Sequence, residues 1–466
     1  MTMNLTDLTI CEAAEAIASR RISPVELTRA CLERIERLDP ILNSFITVTA
    51  ESAIEAARQA EVEIQKSGAR SRLHGIPLAL KDLYETRGVH TTAGSLFFQD
   101  YIPEEDAASV QKLTAAGAVM LGKLNMHEIA LGVTSTNPHY GPCRNPWNPS
   151  LVCGGSSGGS GAALAGRLCL GALGTDTGGS IRIPSSLCGI VGLKPTYGRV
   201  STRGVIPLSW NLDHVGPMAR SVRDVALLMQ VIAGYDPLDA GSIDVPTDDY
   251  LEQIESGVSG WRVALASDGF FTELTDPEVW KSVHEAAHVF TQLGAVVEEV
   301  PFPEARQAAL ANGLMTTSDG AAYHRERLQS QPENFGEDIR QRLQTGSAYT
   351  STDYSLARRT QVVLRRQFTG FFERYDILLT PTTPVTAPDI EGPNAVEQAR
   401  LLTRFTAPFN LTGLPALSLP CGFTSTNMPI GLQIISRPWA EATILRAGYT
   451  YEQAAGWFKR QPSGLV

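Results

Sequence analysis

The 466-residue sequence has few cysteines and no arrangement of them that predicts a disulfide framework or a zinc cage. Its seven cysteines are odd in number and scattered, and none stands in a Cys-x-x-Cys pair. Scattered thiols of this kind are typical of proteins kept in a reducing compartment. We therefore expect a cytoplasmic protein whose cysteines are free.

The sequence also lacks blocks of basic residues and long apolar runs. Its formal net charge is -10, from 49 acidic and 39 basic residues that are spread along the chain, so no stretch predicts capture of a phosphate backbone or of an anionic membrane. No run approaches the ~20 apolar residues that cross a bilayer. We therefore expect neither a nucleic acid nor a membrane among the partners.

What the sequence does contain is the composition of a packed globular protein, with 43% hydrophobic and 19% charged residues. Apolar positions recur at helical spacing from Leu8 to Leu38, and strand-like and helix-like segments then alternate along the chain. This alternation predicts an α/β fold in which helices cover both faces of a mixed or parallel sheet. Because no repeat or low-complexity linker divides the chain, we expect a helical N-terminal arm over residues 1–66 and one continuous domain over residues 67–466.

Two glycine-flanked serine segments carry the strongest chemical signal. The first is Gly-Gly-Ser-Ser-Gly-Gly-Ser-Gly over residues 154–161, and the second is Gly-Thr-Asp-Thr-Gly-Gly-Ser-Ile-Arg over residues 174–182. Glycine lets the backbone turn sharply, and consecutive N–H groups in such a turn can converge on one oxygen anion. A core-like strand from Leu168 to Gly174 joins the segments, which argues against a flexible linker. The segments predict a serine nucleophile with its oxyanion hole.

A lysine ends an apolar, strand-like segment upstream of these serines, in Gly75-Ile76-Pro77-Leu78-Ala79-Leu80-Lys81. A lysine with its ordinary pKa of about 10.4 is charged near neutral pH and cannot accept a proton. Burial disfavours the cation and lowers that pKa. Lys81 is therefore a candidate base, and the chemistry needs no histidine.

Three short patterns imitate other sites but lack an essential part. Residues 154–158 match the G-x-S-x-G elbow of α/β-hydrolases, but the proline-containing residues 145–149 break the strand that should precede it. His284 to His288 match the H-E-x-x-H zinc signature, without a third ligand in a supporting motif. Residues 117–123 resemble a P-loop, but Leu124 stands where a serine or threonine must bind magnesium. We expect no metal and no cofactor.

Four further segments accompany the serine segments and Lys81: Thr92–Ser95, Gly122–Met126, Cys188–Thr196 and Pro429–Gln433. With them, the sequence resembles the amidase signature family over nearly its whole length. The resemblance implies a single large mixed sheet between helical layers. By position it also implies that Ser180 is the nucleophile, that Ser156 is a bridging serine whose preceding peptide bond is cis, and that Lys81 is the base.

The resemblance extends to the groups around this triad. It implies an oxyanion hole formed by the backbone N–H groups of Thr177, Gly178 and Gly179, together with that of the nucleophile. It also implies that Leu131 and Gly132 line the substrate pocket. Three more residues are expected to hold these loops in place: Ser157, Asp176 and Arg182.

The function implied is that of a serine amidase, which cleaves an amide, anilide or carbamate C–N bond through a seryl acyl-enzyme. One alternative is the A subunit of a glutamine-dependent tRNA amidotransferase, which releases ammonia from glutamine. Such subunits carry Gln, Arg and Asp where this chain has Ile183, Gln361 and Thr403, which favours a less polar substrate. Another alternative is an inactive scaffold subunit. The expected partner is a small-molecule amide or carbamate, with a homodimer left open.

Overall fold

The computed structural model describes residues 4–302, 304–392 and 394–463. The strands in these ranges are β1 (Phe45–Val48), β2 (Pro77–Lys81), β3 (Val119–Leu124), β4 (Thr136–Asn137), β5 (Gly141–Pro142), β6 (Arg144–Asn145), β7 (Asn148–Val152), β8 (Gly171–Asp176), β9 (Val191–Lys194), β10 (His214–Ala219), β11 (Arg262–Ala266), β12 (Val296–Val300), β13 (Ile377–Pro381), β14 (Ala416–Phe423) and β15 (Pro429–Ile435). The α-helices are α1 (Ile10–Ala18), α2 (Pro24–Leu42), α3 (Ala50–Ser67), α4 (Ala108–Ala115), α5 (Gly158–Ala165), α6 (Arg182–Cys188), α7 (Val222–Ile232), α8 (Gly269–Thr272), α9 (Pro277–Gln292), α10 (Ala305–Tyr323), α11 (Arg325–Ser330), α12 (Glu337–Ala348), α13 (Ser351–Phe371), α14 (Ala395–Leu401), α15 (Ala407–Thr412) and α16 (Glu441–Ala455).

Eleven of the strands form one mixed sheet, in the order β1-β3-β2-β8-β10-β9-β14-β15-β13-β11-β12. Strand β2 pairs in parallel with β3 and β8, whereas β10 pairs antiparallel with β8 and β9. Helices pack against this sheet, with contacts from α3, α5, α6, α7, α9 and α16. The α/β fold class, with one large mixed sheet between helices, is confirmed.

The two strands that lead into the site are buried along their whole length, as parallel strands covered on both faces should be. Leu78 of β2 pairs with Gly171 of β8, and the register continues to Leu80 and Leu173. Because the strands are parallel and adjacent, their carboxyl ends lie side by side. Lys81 and Asp176, the last residues of β2 and β8, therefore lie side by side at the carboxyl ends of these two strands.

The short helix α5 follows the first serine segment and is buried throughout. It consists of glycine, alanine and serine apart from one leucine, so its backbone can pack close to its neighbours. A Cβ added at Gly159 would lie 2.4 Å from the carbonyl oxygen of Ser44 and 2.5 Å from that of Asn125. The small residues of the segment thus permit close packing as well as a sharp turn.

Residues 4–66 contribute to the same core as the sheet. Helix α1 begins with a capping box of Thr9 and Glu12, and its first two N–H groups, from Ile10 and Cys11, donate to the buried carboxylate of Asp224. Strand β1 pairs antiparallel with β3 at one edge of the sheet. The boundary at residues 66 and 67 stays a prediction.

All seven cysteines have free thiols. Within the described ranges, no helix combines the length and apolar character needed to span a membrane.

Candidate active site

Lys81 is fully buried at the end of β2, where its ammonium nitrogen contacts two hydroxyl groups. Lys81 Nζ lies 2.7 Å from Ser156 Oγ and 2.7 Å from Thr175 Oγ1. Burial lowers the pKa of Lys81 to about 7, although the carboxylates of Asp213 and Asp176 act in the opposite direction. A large fraction of Lys81 is therefore neutral near pH 7, when its lone pair can accept a proton.

Ser156 lies in the loop that connects β7 to α5, and it is also fully buried. The Gly155–Ser156 peptide bond is cis, as the family resemblance implies. The carbonyl oxygen of Ser156 accepts a hydrogen bond from the backbone N–H of His127 at 3.1 Å and another from Ser135 Oγ at 3.3 Å. These bonds fix the backbone that presents Ser156 Oγ to Lys81.

The second serine segment forms the loop between β8 and α6, with Ser180 near its end. The backbone N–H of Ser157 donates to the carbonyl of Ser180 at 3.2 Å, so the two serine segments touch. Ser180 retains 5% of its surface exposed. Among the described residues, none accepts a hydrogen bond from the backbone N–H groups of residues 177–180. The loop therefore presents a row of unpaired donors beside a serine hydroxyl, which is what binding of an oxyanion requires.

The path of this loop depends on Gly179, whose φ of 141° is rarely adopted by residues with a side chain. A Cβ added there would lie 2.3 Å from Thr406 Oγ1. The hydroxyl of Thr406 donates to the carbonyl of Gly178 at 2.6 Å. On the other side, Asn312 Nδ2 donates to the carbonyl of Thr177 at 3.2 Å. The carbonyl oxygens of Thr177 and Gly178 are thus each hydrogen-bonded to a side chain from another part of the protein.

Asp176 and Arg182 form a fully buried ion pair at the base of the loop. Arg182 Nε lies 3.0 Å from Asp176 Oδ2, and Arg182 Nη2 lies 3.0 Å from Oδ1. Burial raises the pKa of Asp176, but the Arg182 charge outweighs it and holds that pKa well below its usual range. The pair is completed by Gln433, which accepts from Arg182 Nη1 at 2.6 Å, and by Asn410, which donates to Asp176 at 2.8 Å. Every charge in this network has a partner.

A cavity of about 400 Å³ lies beside His127, whose N–H binds the Ser156 carbonyl. Val133 and Thr403 also line it, whereas no residue of the two serine segments does. Leu131 and Gly132 are not among the lining residues. Gly132 packs closely against His127, since a Cβ there would lie 2.1 Å from His127 Nε2. That Leu131 and Gly132 bind the substrate stays a prediction.

Several residues at the site were missed by sequence reasoning. Thr175 contacts Lys81 directly and stands inside the second serine segment, so the motif itself contains the signal. Asp213, Asn312 and Thr406 also contact the loop, but they stand in no recognisable pattern. Only the fold brings them to the site.

The positions that were compared with amidotransferase subunits have different surroundings in the structure. Ile183 is fully buried behind the loop. Gln361 is fully buried on α13, where its Nε2 donates to the carbonyl of Leu411 at 2.7 Å and its Oε1 accepts from Arg358. Of the three positions, only Thr403 lines the 400 Å³ cavity.

The histidines of the H-E-x-x-H pattern lie on α9, away from this site. His288 is exposed, and His284 lies 3.5 Å from Glu299 at the surface. Across the described ranges, no group of three or more His, Cys, Asp or Glu side chains is arranged to bind a metal ion.

A family model described as Amidase matches residues 26–445 of the chain. The chain belongs to the amidase signature family. It is 40% identical over 486 aligned positions to the A subunit of the glutamyl-tRNA(Gln) amidotransferase of Geobacter sp. (strain M21), covering 99% of this chain and 100% of that one. Family membership supports an enzyme that cleaves amides.

Solved structures of the family superimpose closely on this amidase signature protein. One, described as a vestigial protein complex that reveals the evolutionary origins of an s-triazine catabolic enzyme, has a TM-score of 0.92 and 37% identity, over 96% of this chain and 99% of that one. The A subunit of the glutamyl-tRNA(Gln) amidotransferase of Thermotoga maritima has a TM-score of 0.84 and 34% identity, over 97% of this chain and 96% of that one.

These comparisons correct the expectation about partners. From the dispersed charge, no nucleic acid was expected among the partners; the resemblance implied a small-molecule substrate, and a homodimer was left open. The relatives are named as subunits of an enzyme that acts on tRNA, which contradicts that expectation. The physical reason is that one subunit of a multi-subunit enzyme needs no basic surface when other subunits bind the tRNA. The net charge of one chain therefore does not exclude a nucleic acid from the assembly.

Proposed function

We propose that the chain is a seryl amidohydrolase in which Lys81, Ser156 and Ser180 act as one proton-transfer chain. The observation that carries the proposal is the 2.7 Å contact between the buried Lys81 nitrogen and Ser156 Oγ. Neutral Lys81 takes the proton of Ser156, and Ser156 takes that of Ser180, whose oxygen attacks the substrate carbonyl. The same path then returns a proton to the leaving nitrogen as the C–N bond breaks. Water releases the acyl group from Ser180 by the same steps.

The charge that develops on the carbonyl oxygen is assigned to the unpaired N–H groups of Thr177, Gly178, Gly179 and Ser180. Support comes from the loop geometry, because these donors have no acceptor among the described residues and the carbonyls of Thr177 and Gly178 are hydrogen-bonded to Asn312 and Thr406. Donors fixed before the reaction need no reorganisation when the anion forms. Losing one such donor typically costs about 3–4 kcal/mol of transition-state stabilisation.

The second candidate is the A subunit of a glutamine-dependent tRNA amidotransferase, and the comparisons favour it over a free-standing hydrolase. The 40% identity to the Geobacter protein extends over nearly the whole of both chains. The chemistry is the same in both candidates, since glutamine carries a side-chain amide. They differ in the substrate and in the partner subunit that receives the ammonia.

One structural observation supports a substrate other than glutamine. Gln361 is uncharged and buried, with its amide bonded to Leu411 and Arg358, and the uncharged Thr403 lines the 400 Å³ cavity, so neither position supplies the charged group that the amidotransferase subunits carry there. The cavity is also lined by charged residues at other positions: Asp338, Arg342, Asp389 and Arg400. The support for a less polar substrate therefore comes from positions 361 and 403 alone.

Two further parts of the proposal concern organisation and location. Residues 67–466 carry all the groups assigned to the chemistry, with residues 1–66 as an N-terminal arm. A cytoplasmic location is supported by the seven free cysteines.

The deciding experiment measures ammonia or amine release by the purified full chain from glutamine, an aliphatic amide, an anilide and a carbamate. A Ser180→Ala variant is the control for a contaminating amidase. Turnover of glutamine alone identifies the amidotransferase component, and turnover of the other substrates identifies the hydrolase. If no substrate is turned over and a fluorophosphonate does not label Ser180, the chain is a scaffold and the proposal fails.

A further inference from the structure

Asp213 is a half-buried carboxylate just before the start of β10 that has no role in the chemistry described so far. One of its oxygens, Oδ1, accepts the hydroxyl proton of Thr177 at 2.6 Å. The other, Oδ2, accepts the backbone N–H groups of Leu208 at 2.8 Å and Ser209 at 3.0 Å. The carboxylate is therefore fixed by the 208–209 turn on one side and bonded to the active-site loop on the other.

Thr177 is the first residue of the loop whose N–H groups are unpaired. Its carbonyl is bound by Asn312 and the carbonyl of Gly178 by Thr406, both of which are neutral. Asp213 supplies the one charged contact among these three, and hydrogen bonds to a charged group are about twice as strong as neutral ones. It also acts on the side chain of Thr177, so that the peptide N–H remains free to face the substrate.

The charge of Asp213 also acts on the base. It stabilises the ammonium form of Lys81, as does Asp176. The charge of Asp176 is balanced by Arg182 at 3.0 Å, whereas Asp213 forms no ion pair among the described residues and Lys81 acts on it only through its charge, without contact. Burial raises the pKa of Asp213 to about 6, so most of it is ionised at neutral pH. The other ionisable groups that line the same cavity as Asp213 are Tyr197, His214 and Asp239.

We propose that Asp213 is a positioning residue, which holds Thr177 and thereby the anion-binding loop in its reactive conformation. This inference rests on the proposed seryl mechanism. Asp213 does not touch the substrate, and it acts through Thr177 and through its charge. Its removal should therefore lower the rate of the chemical step more than it lowers substrate binding.

The test compares four variants of the full chain by kcat, KM and the pH dependence of kcat/KM. Asp213→Asn keeps the shape but removes the charge, and Thr177→Val removes only the donated hydroxyl. We expect each to lower kcat about 10- to 100-fold with little change in KM. Thr177→Ser, which retains the hydroxyl, should keep nearly full activity. Asp239→Asn is the matched control, because Asp239 lines the same small cavity as Asp213 without contacting Thr177.

The pH profile separates positioning from a merely structural role. In Asp213→Asn the ammonium form of Lys81 loses a stabilising charge, so the rising limb of kcat/KM should move to lower pH. Thr177→Val and Asp239→Asn keep the Asp213 charge and should leave that limb in place.

An Asp213→Asn variant with unchanged kcat and an unmoved limb overturns the inference. If circular dichroism and thermal unfolding show that this variant does not fold, the two Thr177 variants decide. A lowered kcat in Thr177→Val with near-normal kcat in Thr177→Ser supports the inference, and equal kcat values in the two variants overturn it. The Ser180→Ala variant separates failure of the Asp213 inference from failure of the proposed function, because activity in that variant would reject the seryl mechanism itself.

Discussion

The side-chain nitrogen of Lys81 lies 2.7 Å from the hydroxyl oxygen of Ser156, and solvent reaches neither side chain. This contact spans 75 positions of the sequence. The parallel pairing of β2 with β8 brings the end of β2 next to the loop that follows β8. The hydrogen bond from the Ser157 N–H to the Ser180 carbonyl holds the loop of Ser156 against that second loop. A base and a hydroxyl held in this way can exchange a proton without the participation of bulk water.

The activity of the chain should rise with pH through about pH 7. Burial lowers the pKa of Lys81 to about 7, so the inactive ammonium form predominates below that pH and the neutral base above it. Lys81→Ala should lower kcat at least about 100-fold, and the exposed Lys281→Ala should have no effect. The measurement is kcat/KM from pH 5 to 9. A rate that falls between pH 6 and pH 8 would contradict the assignment.

Ser180 should be the residue that reacts with a fluorophosphonate. Ser180→Ala should lose the label and at least about 10,000-fold of kcat while keeping its unfolding midpoint, because the truncation removes no core contact. Ser160→Ala is the matched control, since Ser160 belongs to the first serine segment and donates to the carbonyl of Leu173. Peptide mapping of the labelled protein locates the adduct. A label on any other serine would sink the assignment.

Gly179 and Gly178 should respond differently to the same substitution. At Gly179 a Cβ would meet Thr406 Oγ1 at 2.3 Å and the φ is 141°, so Gly179→Ala should distort the loop and abolish activity. At Gly178 the one nearby atom is Asn312 Oδ1, at 3.3 Å, and Gly178→Ala should keep the fold and part of the activity. Kinetics and thermal unfolding of the two variants test this. Equal losses would argue against a loop shaped by Gly179.

Breaking the Asp176–Arg182 pair should destabilise the whole protein. Arg182→Met leaves a buried carboxylate without its cation, which costs about 3–5 kcal/mol. The pKa of Asp176 is held below its ordinary value of about 4, so this contribution is present above pH 4 and is lost only as the pH falls below that. Urea unfolding at pH 7 measures it. The control is Arg58→Met, which breaks the exposed Arg58–Glu55 pair and should leave the midpoint unchanged.

Chelation of metal ions should leave the enzyme active. The proposed mechanism uses no metal, and the H-E-x-x-H histidines lie at the surface of α9. Incubation with EDTA, followed by an assay with and without added zinc, should give the same kcat. His284→Ala combined with His288→Ala should also retain activity. A loss that zinc restores would assign a metal to the chain.

The sequence predicts those parts of the fold in which local chemistry and tertiary structure agree. The apolar runs of residues 75–81 and 168–174 were predicted as strands, and they form β2 and β8. Strand β10 could not be predicted, because Gly216 and Pro217 lie in its middle and weaken any strand prediction. Helix α5 could be predicted from its sequence, but its close packing against Ser44 could not.

The site was predictable only where a motif contains it. Lys81, Ser156 and Ser180 were found through the family resemblance, since no local pattern states that residues 81 and 156 meet. Asp213 and Asn312 could not be found, because they contact Thr177 across 36 and 135 positions of the chain and have no distinctive neighbours in sequence. Contacts between residues so far apart in the sequence depend on the tertiary fold and not on local sequence.

The strand order of the sheet has a consequence for how the chain is made. Strands β14 and β15 lie within residues 416–435 and in the interior of the sheet. On one side of them is a group of six strands, β1, β3, β2, β8, β10 and β9, and on the other side is a group of three, β13, β11 and β12. During synthesis the ribosome therefore releases two separate half-sheets before it releases the strands that unite them. Gln433, which binds Arg182, arrives in the same late segment. The nascent chain cannot complete its catalytic centre until residues 416–435 have emerged.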